Sequence, residues 1–170
     1  MEEILIVDGY NIIGDWPELK DLKNKESLED AREKLLQYLA DYKAYTGKKV
    51  IVVFDAHQVF GRGRDERIYG LDVQYTAENE TADERIERLV KELKTRRNQI
   101  YVASSDRTEQ WVVFAQGALR MSARELSIEV AKSESGIDEK VKKSAEKPKL
   151  TLKDSLGEEI EKIFEQWRRK

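Results

Sequence analysis

Three short, largely apolar runs in this chain each lead directly into an aspartate: EILIV at 3–7 into Asp8, VIVVF at 50–54 into Asp55, and IYVASS at 100–105 into Asp106. Continuous runs of this length, rich in Ile and Val, suit strands of a parallel sheet covered on both faces. Every strand of such a sheet presents its carboxyl end on one edge, and ligands bind there. The pattern therefore predicts an α/β layout with three carboxylates along one rim.

The intervening stretches fit that layout. Asp8 to Lys25 reads as a loop anchored by a turn at Trp16-Pro17. Ser27 with Asp30 resembles an N-cap before LEDAREKLLQYLADYKAYT, whose Leu28, Ala31, Leu35, Tyr38, Leu39 and Tyr42 recur at helical spacing until Gly47. LDVQYTA at 71–77 alternates enough for a third, more peripheral strand. Thr81 opens a helix, with Glu84 as its capping partner and Ile86, Leu89, Val90 and Leu93 as its apolar face. A shorter helix, TEQWVVFAQ, follows Asp106 and ends at Gly117.

ALRMS at 118–122 reads as a short strand or a connector. Two further helices are expected at about 123–146 and 153–167, separated around Lys147-Pro148. The expected architecture is a three-layer α/β/α sandwich around a mostly parallel sheet. Residues 1–146 would form the domain, with 147–170 as a C-terminal helical extension packed on it.

Composition narrows the chemistry. The chain has no cysteine, which removes disulfides, thiolate metal sites and thiol nucleophiles together. A single histidine, His57, rules out a Ser-His-Asp triad elsewhere and any His-rich zinc site. The chain has no run of about 18 apolar residues to span a bilayer. The start, MEEILIVDG, reads as a strand without a basic leader, so a cytoplasmic protein is expected. What remains for catalysis is carboxylates, amides, hydroxyls or a bound cofactor.

The carboxylates are well placed for that. If the strands ending at Asp8 and Asp106 are neighbours, these two acids converge. The helix opening in ENETADE at 78–84 should bring Asp83, and with it Glu80 or Glu84, to the same edge. Several carboxylates in one cleft repel and raise one another's pKa unless a cation compensates. Mg²⁺, or Mn²⁺ with the same oxygen donors, resolves that repulsion and supports phosphodiester or phosphomonoester hydrolysis. Each acid also has a plainer role. Asp8 could simply end a strand in a turn, Asp55 could be a turn residue or an outer partner, Glu84 and Asp83 could serve their helix N-terminus, and Asp106 with Glu109 could cap the next helix.

Around these acids, Asn11 is a candidate to orient a ligand or donate to a phosphate oxygen. Ser104, Ser105 and Thr108 suit a turn and a helix start. Trp111, beside Val112, Val113 and Phe114, reads as core, whereas Tyr10 and Trp16 are candidate surfaces for stacking on a base. The 34 acidic and 31 basic side chains conceal an uneven distribution. Residues 140–170 carry 10 basic against 6 acidic groups, and GRGRDER at 61–67 is a second arginine cluster. Arg62, Arg64, Arg67, Arg120, Arg124, Lys140, Lys142 and Lys143 are therefore candidate contacts to a phosphate backbone.

Taken together, DGYNIIG at 8–14, VVFDA at 52–56, ENETADERIERL at 78–89, SSDRTEQ at 104–110 and FAQGALRMSARE at 114–125 resemble the YacP-like branch of the NYN domain family, a group within the PIN-like nucleases. The resemblance runs from EEILIVDGYN to the terminal FEQWRRK. It implies a PIN-like sandwich, a metal-dependent acidic site and an RNA substrate. By local motif it implies Asp8, Asp83 and Asp106 as the principal acids, Asn11 as the polar partner of Asp8, and Asp55 as a less certain ligand. This branch is also similar to ribosome-associated endoribonucleases that cut messenger RNA during translation.

The function expected is hydrolysis of single-stranded RNA, leaving 5′-phosphate and 3′-hydroxyl ends, with messenger RNA and the ribosome as partners and a monomeric chain. The rivals are a non-catalytic RNA or ribosome adaptor and a small-molecule phosphatase. The latter is disfavoured because the first strand lacks a D-x-D pair.

Overall fold

A computed structural model describes residues 1–56 and 65–150, with side chains described up to residue 136. Two compact units, Met1–Ser133 and Glu134–Lys170, divide the chain, and the sheet lies in the first. In chain order the elements are β1 (Glu2–Asp8), α1 (Gly9–Asp15), α2 (Pro17–Lys25), α3 (Leu28–Thr46), β2 (Lys49–Phe54), β3 (Glu66–Ile68), β4 (Leu71–Tyr75), α4 (Ala82–Leu93), β5 (Asn98–Ala103), α5 (Arg107–Ala115), β6 (Leu119–Met121) and α6 (Ala123–Leu150).

The sheet order is β3-β4-β2-β1-β5-β6, and only the β3–β4 pairing is antiparallel. β1 and β5 are neighbours, as convergence of the acids requires. Strand alternation divides the interior into two cores. Leu5, Val7, Val50, Val52 and Phe54 face α1, α2, α3 and the start of α6, while Ile4, Ile6, Ile51, Val53, Ile100 and Val102 face α4 and α5. Apolar residues at both parities are the signature of a strand covered on both sides. The outcome is the expected α/β/α sandwich.

Three features depart from the sequence reading. The stretch read as a loop, Asp8 to Lys25, folds into α1 and α2, with Pro17 opening the second helix and Ile12, Ile13 and Leu19 buried. These helices are too short to show several periods, so tertiary packing must stabilise them. β3 forms a hairpin with β4 through Tyr69-Gly70, both at positive φ (54° and 82°), which is the backbone a two-residue turn needs. Third, α6 continues through Lys147-Pro148 to Leu150, and the proline falls in its last turn. The expected boundary at 146/147 thus lies inside this helix, and the expected helix at 153–167 lies outside the described residues.

Candidate metal centre

Asp8 is the last residue of β1. Two-residue periodicity puts its side chain on the same face as Ile4 and Ile6, toward α4 and α5. The pairing Val7↔Ala103 sets Ser104 and the loop into α5 beside it. Both facing helices present an acid from their first turn, where exposed amides and the helix dipole favour negative charge. Asp83 follows the Thr81 N-cap of α4, and Glu109 follows the Asp106 N-cap of α5. One carboxylate oxygen from each of Asp8, Asp83 and Glu109 lies within 4.8 Å of the others.

The local chain is built around that convergence. Gly9 sits under the Phe54 ring, and a Cβ there would collide with it. The Asn11 Oδ1 accepts the Ser105 backbone N–H at 2.7 Å, tying α1 to the loop after β5. Ser104 N–H donates to the Met121 carbonyl at 3.0 Å, and Ala123 N–H donates to Ser105 Oγ at 3.3 Å. Asp106 N–H donates to Ser104 Oγ, while Asp106 Oδ1 accepts the amides of Thr108 and Glu109 at 2.9 and 3.3 Å. The loop between β5 and α5 is therefore fixed by hydrogen bonds at its backbone amides.

Burial makes the charge costly. Asp8 is 7% exposed and Glu109 is 3% exposed. Burial, with the charges of Asp83 and Asp106 adding to it, pushes the Asp8 carboxyl up to about 6, although the adjacent Glu109 carboxyl restrains the rise. Burial and the neighbouring Asp8 and Asp83 push Glu109 up to about 10. Asp83 is raised as well, by burial first and then by Asp106, Glu87 and Asp55. Among the described residues, neither Glu109 oxygen has a hydrogen-bond partner. Two buried acceptor atoms without donors cost free energy unless a proton or a cation meets them. Hard oxygen donors converging at this spacing suit a divalent cation, so the residues present fit a metal centre.

The remaining candidates have distinct places. Asp106 lies outside the convergent group, and its carboxylate is engaged as the α5 N-cap. Asp55 also lies outside it, although its charge reaches Asp83. Glu84 completes a capping box with Thr81. Glu80 pairs with Arg85 and Arg88 at 2.8 and 3.0 Å. Tyr10 is partly buried, with its ring 4.9 Å from that of Phe54.

Trp16 offers no surface to a base, because it is 8% exposed and its Nε1 donates to the Ala123 carbonyl at 2.7 Å. The aromatic residues of α5 go the other way. Trp111, read as core, is 60% exposed, its neighbour Phe114 is 49% exposed, and of residues 111–114 Val113 alone is buried. Arg120 lies over both rings, 4.8 and 5.3 Å from their centroids. Arg67 and Arg124 are exposed. His57, Arg62, Arg64 and Trp167 lie outside the described residues, as do the side chains of Lys140, Lys142 and Lys143.

Glu109 is the site residue that sequence reasoning passed over. Asp106-x-x-Glu109 has the spacing of a capping pair, and that reading absorbed it. The available signal was its spacing of four from Val113, which puts a carboxylate on the buried stripe of α5.

A mostly parallel α/β/α sandwich with acids converging on the carboxyl edge of its central strands has the PIN-like, NYN-type architecture. The chain belongs to the YacP-like NYN domain family, whose profile matches residues 5–169. It is 54% identical over 168 residues to the uncharacterized protein YacP of Bacillus subtilis (strain 168), covering 98% of this chain and 97% of that one. It is similar to the crystal structure of Rae1 (YacP) from Bacillus subtilis, with a TM-score of 0.76 over 98% of this chain and 94% of that one, at 54% identity. A tryptophan-to-leucine variant of that protein matches with a TM-score of 0.72 over 84% of this chain and 82% of its own, also at 54% identity.

Proposed function

We propose that this chain is a metal-dependent endoribonuclease that hydrolyses single-stranded RNA, with messenger RNA on the translating ribosome as its substrate. The observation that carries the reading is the Asp8, Asp83 and Glu109 cluster, with Asp8 and Glu109 buried and the two Glu109 oxygens without a hydrogen-bond partner among the described residues. Membership of the YacP-like NYN family supports a nuclease rather than another use of the same cluster. Asp8, Asp83 and Glu109 would hold Mg²⁺ or Mn²⁺, with Asp106 and Asp55 contributing charge from outside. A bound divalent ion there supplies an acidified water and a counter-charge for the phosphate oxygens.

The protein's own groups divide the remaining work. Asn11 holds the loop after β5 in register with Asp8 through Ser105, and its amide group can orient a ligand or a phosphate oxygen. Asp106 fixes the first turn of α5 and so aims Glu109. Hydrolysis by water leaves 5′-phosphate and 3′-hydroxyl ends. Arg67, Arg120 and Arg124 are proposed backbone contacts, and the reading extends to a monomeric cytoplasmic protein. Among the described residues no helix is long and apolar enough to cross a membrane.

Cleavage of an actively translated messenger RNA, with mapped ends, tests this directly. Wild-type protein should cut in Mg²⁺ or Mn²⁺ and stop when the cation is chelated, and Asp83→Asn should be inactive yet folded. Ribosome or RNA binding without metal-dependent cleavage would instead identify an adaptor. Equal cleavage by a folded Asp83→Asn protein would remove the acidic cluster from the mechanism.

A further inference from the structure

The acidic centre repels the polyanion it is proposed to cut, so something nearby must hold the RNA. On the α3 side of the same sheet edge stands the opposite chemistry. Tyr10, two residues past Asp8, packs on Phe54, and Tyr75 at the end of β4 packs on the same ring at 5.8 Å between centroids. Both tyrosines are partly buried rather than enclosed. Arg32, near the start of α3, donates from Nη1 to the Tyr10 Oη at 3.1 Å.

Arg32 is itself partly buried, yet it makes no ion pair with a carboxylate among the described residues. A guanidinium carries five N–H donors in a planar fork, and among the described residues this one spends a single donor, on a neutral hydroxyl. Its field reaches both tyrosines, and that of Asp55 reaches Tyr10. Asp55 also acts on Asp83, which links this group to the acidic centre. The acids that act on Tyr75 are Glu66, Asp65 and Glu29, and Arg32 forms an ion pair with none of them.

We propose that Arg32, Tyr10 and Tyr75 form a nucleotide subsite beside the acidic centre, in which Arg32 binds a phosphate flanking the scissile one and the tyrosine rings receive a base of the single-stranded RNA. The proposal rests on the endoribonuclease reading and adds the substrate's position to it. The fork geometry suits a phosphate, and a tyrosine ring stacks on any base.

The test uses the full chain carrying Asp83→Asn, to prevent turnover, and a short fluorescein-labelled single-stranded RNA read by anisotropy across a salt series. Adding Arg32→Gln should weaken binding about tenfold, the loss of one charge-assisted contact. It should also make the slope of log affinity against log salt shallower by about 0.7, the signature of one single-strand phosphate contact. Arg32→Lys should keep most of the slope while losing affinity, and Tyr75→Ala should lose affinity with the slope unchanged.

An unchanged affinity and slope in Arg32→Gln would overturn the subsite, as would a drop in melting temperature with no change in slope. Failure of the Asp83→Asn protein to bind this RNA at all would overturn it too. If Arg32→Gln does not fold, the affinity loss in Arg32→Lys decides the matter. Wild-type protein that binds with these slopes but never cleaves translated messenger RNA would overturn the endoribonuclease reading and leave the subsite standing.

Discussion

Asp8 and Asp55 end two adjacent strands of nearly the same character, yet only Asp8 enters the carboxylate cluster. The difference lies in register and neighbours. Asp8 pairs with Val53, so Asp55 lies two residues beyond it, about 6–7 Å further out from the edge. Asp8 also has β2 on one side and β5 on the other, and the loop after β5 closes over it through Asn11 and Ser105. An identical strand ending becomes a buried acid or an outlying one according to what the sheet places beside it.

The sharpest way to break this comparison is to neutralise each acid in turn. Asp8→Asn should lower cleavage by at least about a hundredfold, since even the outer partners of metal ligands are worth about 10–100-fold. Asp55→Asn should cost about tenfold or less. Equal losses in cleavage of translated messenger RNA would show that the register difference carries no functional weight.

A second effect separates the cluster's cost from its use. The folded-state pKa values of Asp8 and Glu109, about 6 and about 10, exceed their ordinary values of 3.8 and 4.5. Between roughly pH 4 and pH 10 the folded, metal-free protein therefore binds more protons than the unfolded chain. Stability from the protonated cluster is complete below about pH 4 and is lost as pH rises through those values. Thermal unfolding in chelator should show that decline, and Mg²⁺ should raise the melting temperature more at about pH 8 than at about pH 5. Glu109→Gln should flatten the decline, because it removes the group that binds the extra proton, and should lower cleavage, because it removes an oxygen donor for the cation. A decline as steep as that of the wild type would dissociate Glu109 from it.

The smallest expected effect concerns the DGYN turn itself. Gly9→Ala should destabilise by about 1–3 kcal/mol, because its methyl group meets the Phe54 ring. Gly14→Ala meets nothing within 4 Å and should instead stabilise α1 by up to about 1 kcal/mol. Denaturant midpoints of the two variants check the contrast, and equal shifts would show that Phe54 yields to the methyl.

Much of this molecule was legible before folding. The paired parities of ILIV and VIVVF announced strands covered on both faces, Thr81-x-x-Glu84 gave its capping box, and Asp8 and Asp83 were placed on one edge. α1 and α2 were not legible, because two short helices show too few turns for periodicity and depend on contacts with α3. Trp111 misled because a run of apolar residues in a helix does not say which of them the sheet will cover.

The sequence by itself determined the four longer strands, the carboxyl-edge aspartates and the chemistry that the lack of cysteine and the single histidine left available. Only the tertiary structure brought Glu109 to Asp8 and Asp83. Asp106 is the N-cap of α5 and Glu109 lies in its first turn; one Asp106 oxygen accepts the amides of Thr108 and Glu109, while the Glu109 carboxylate is buried against Asp8 and Asp83. Helix phase against the sheet decides that placement, and phase is fixed by what α5 packs on, which no local stretch of sequence contains.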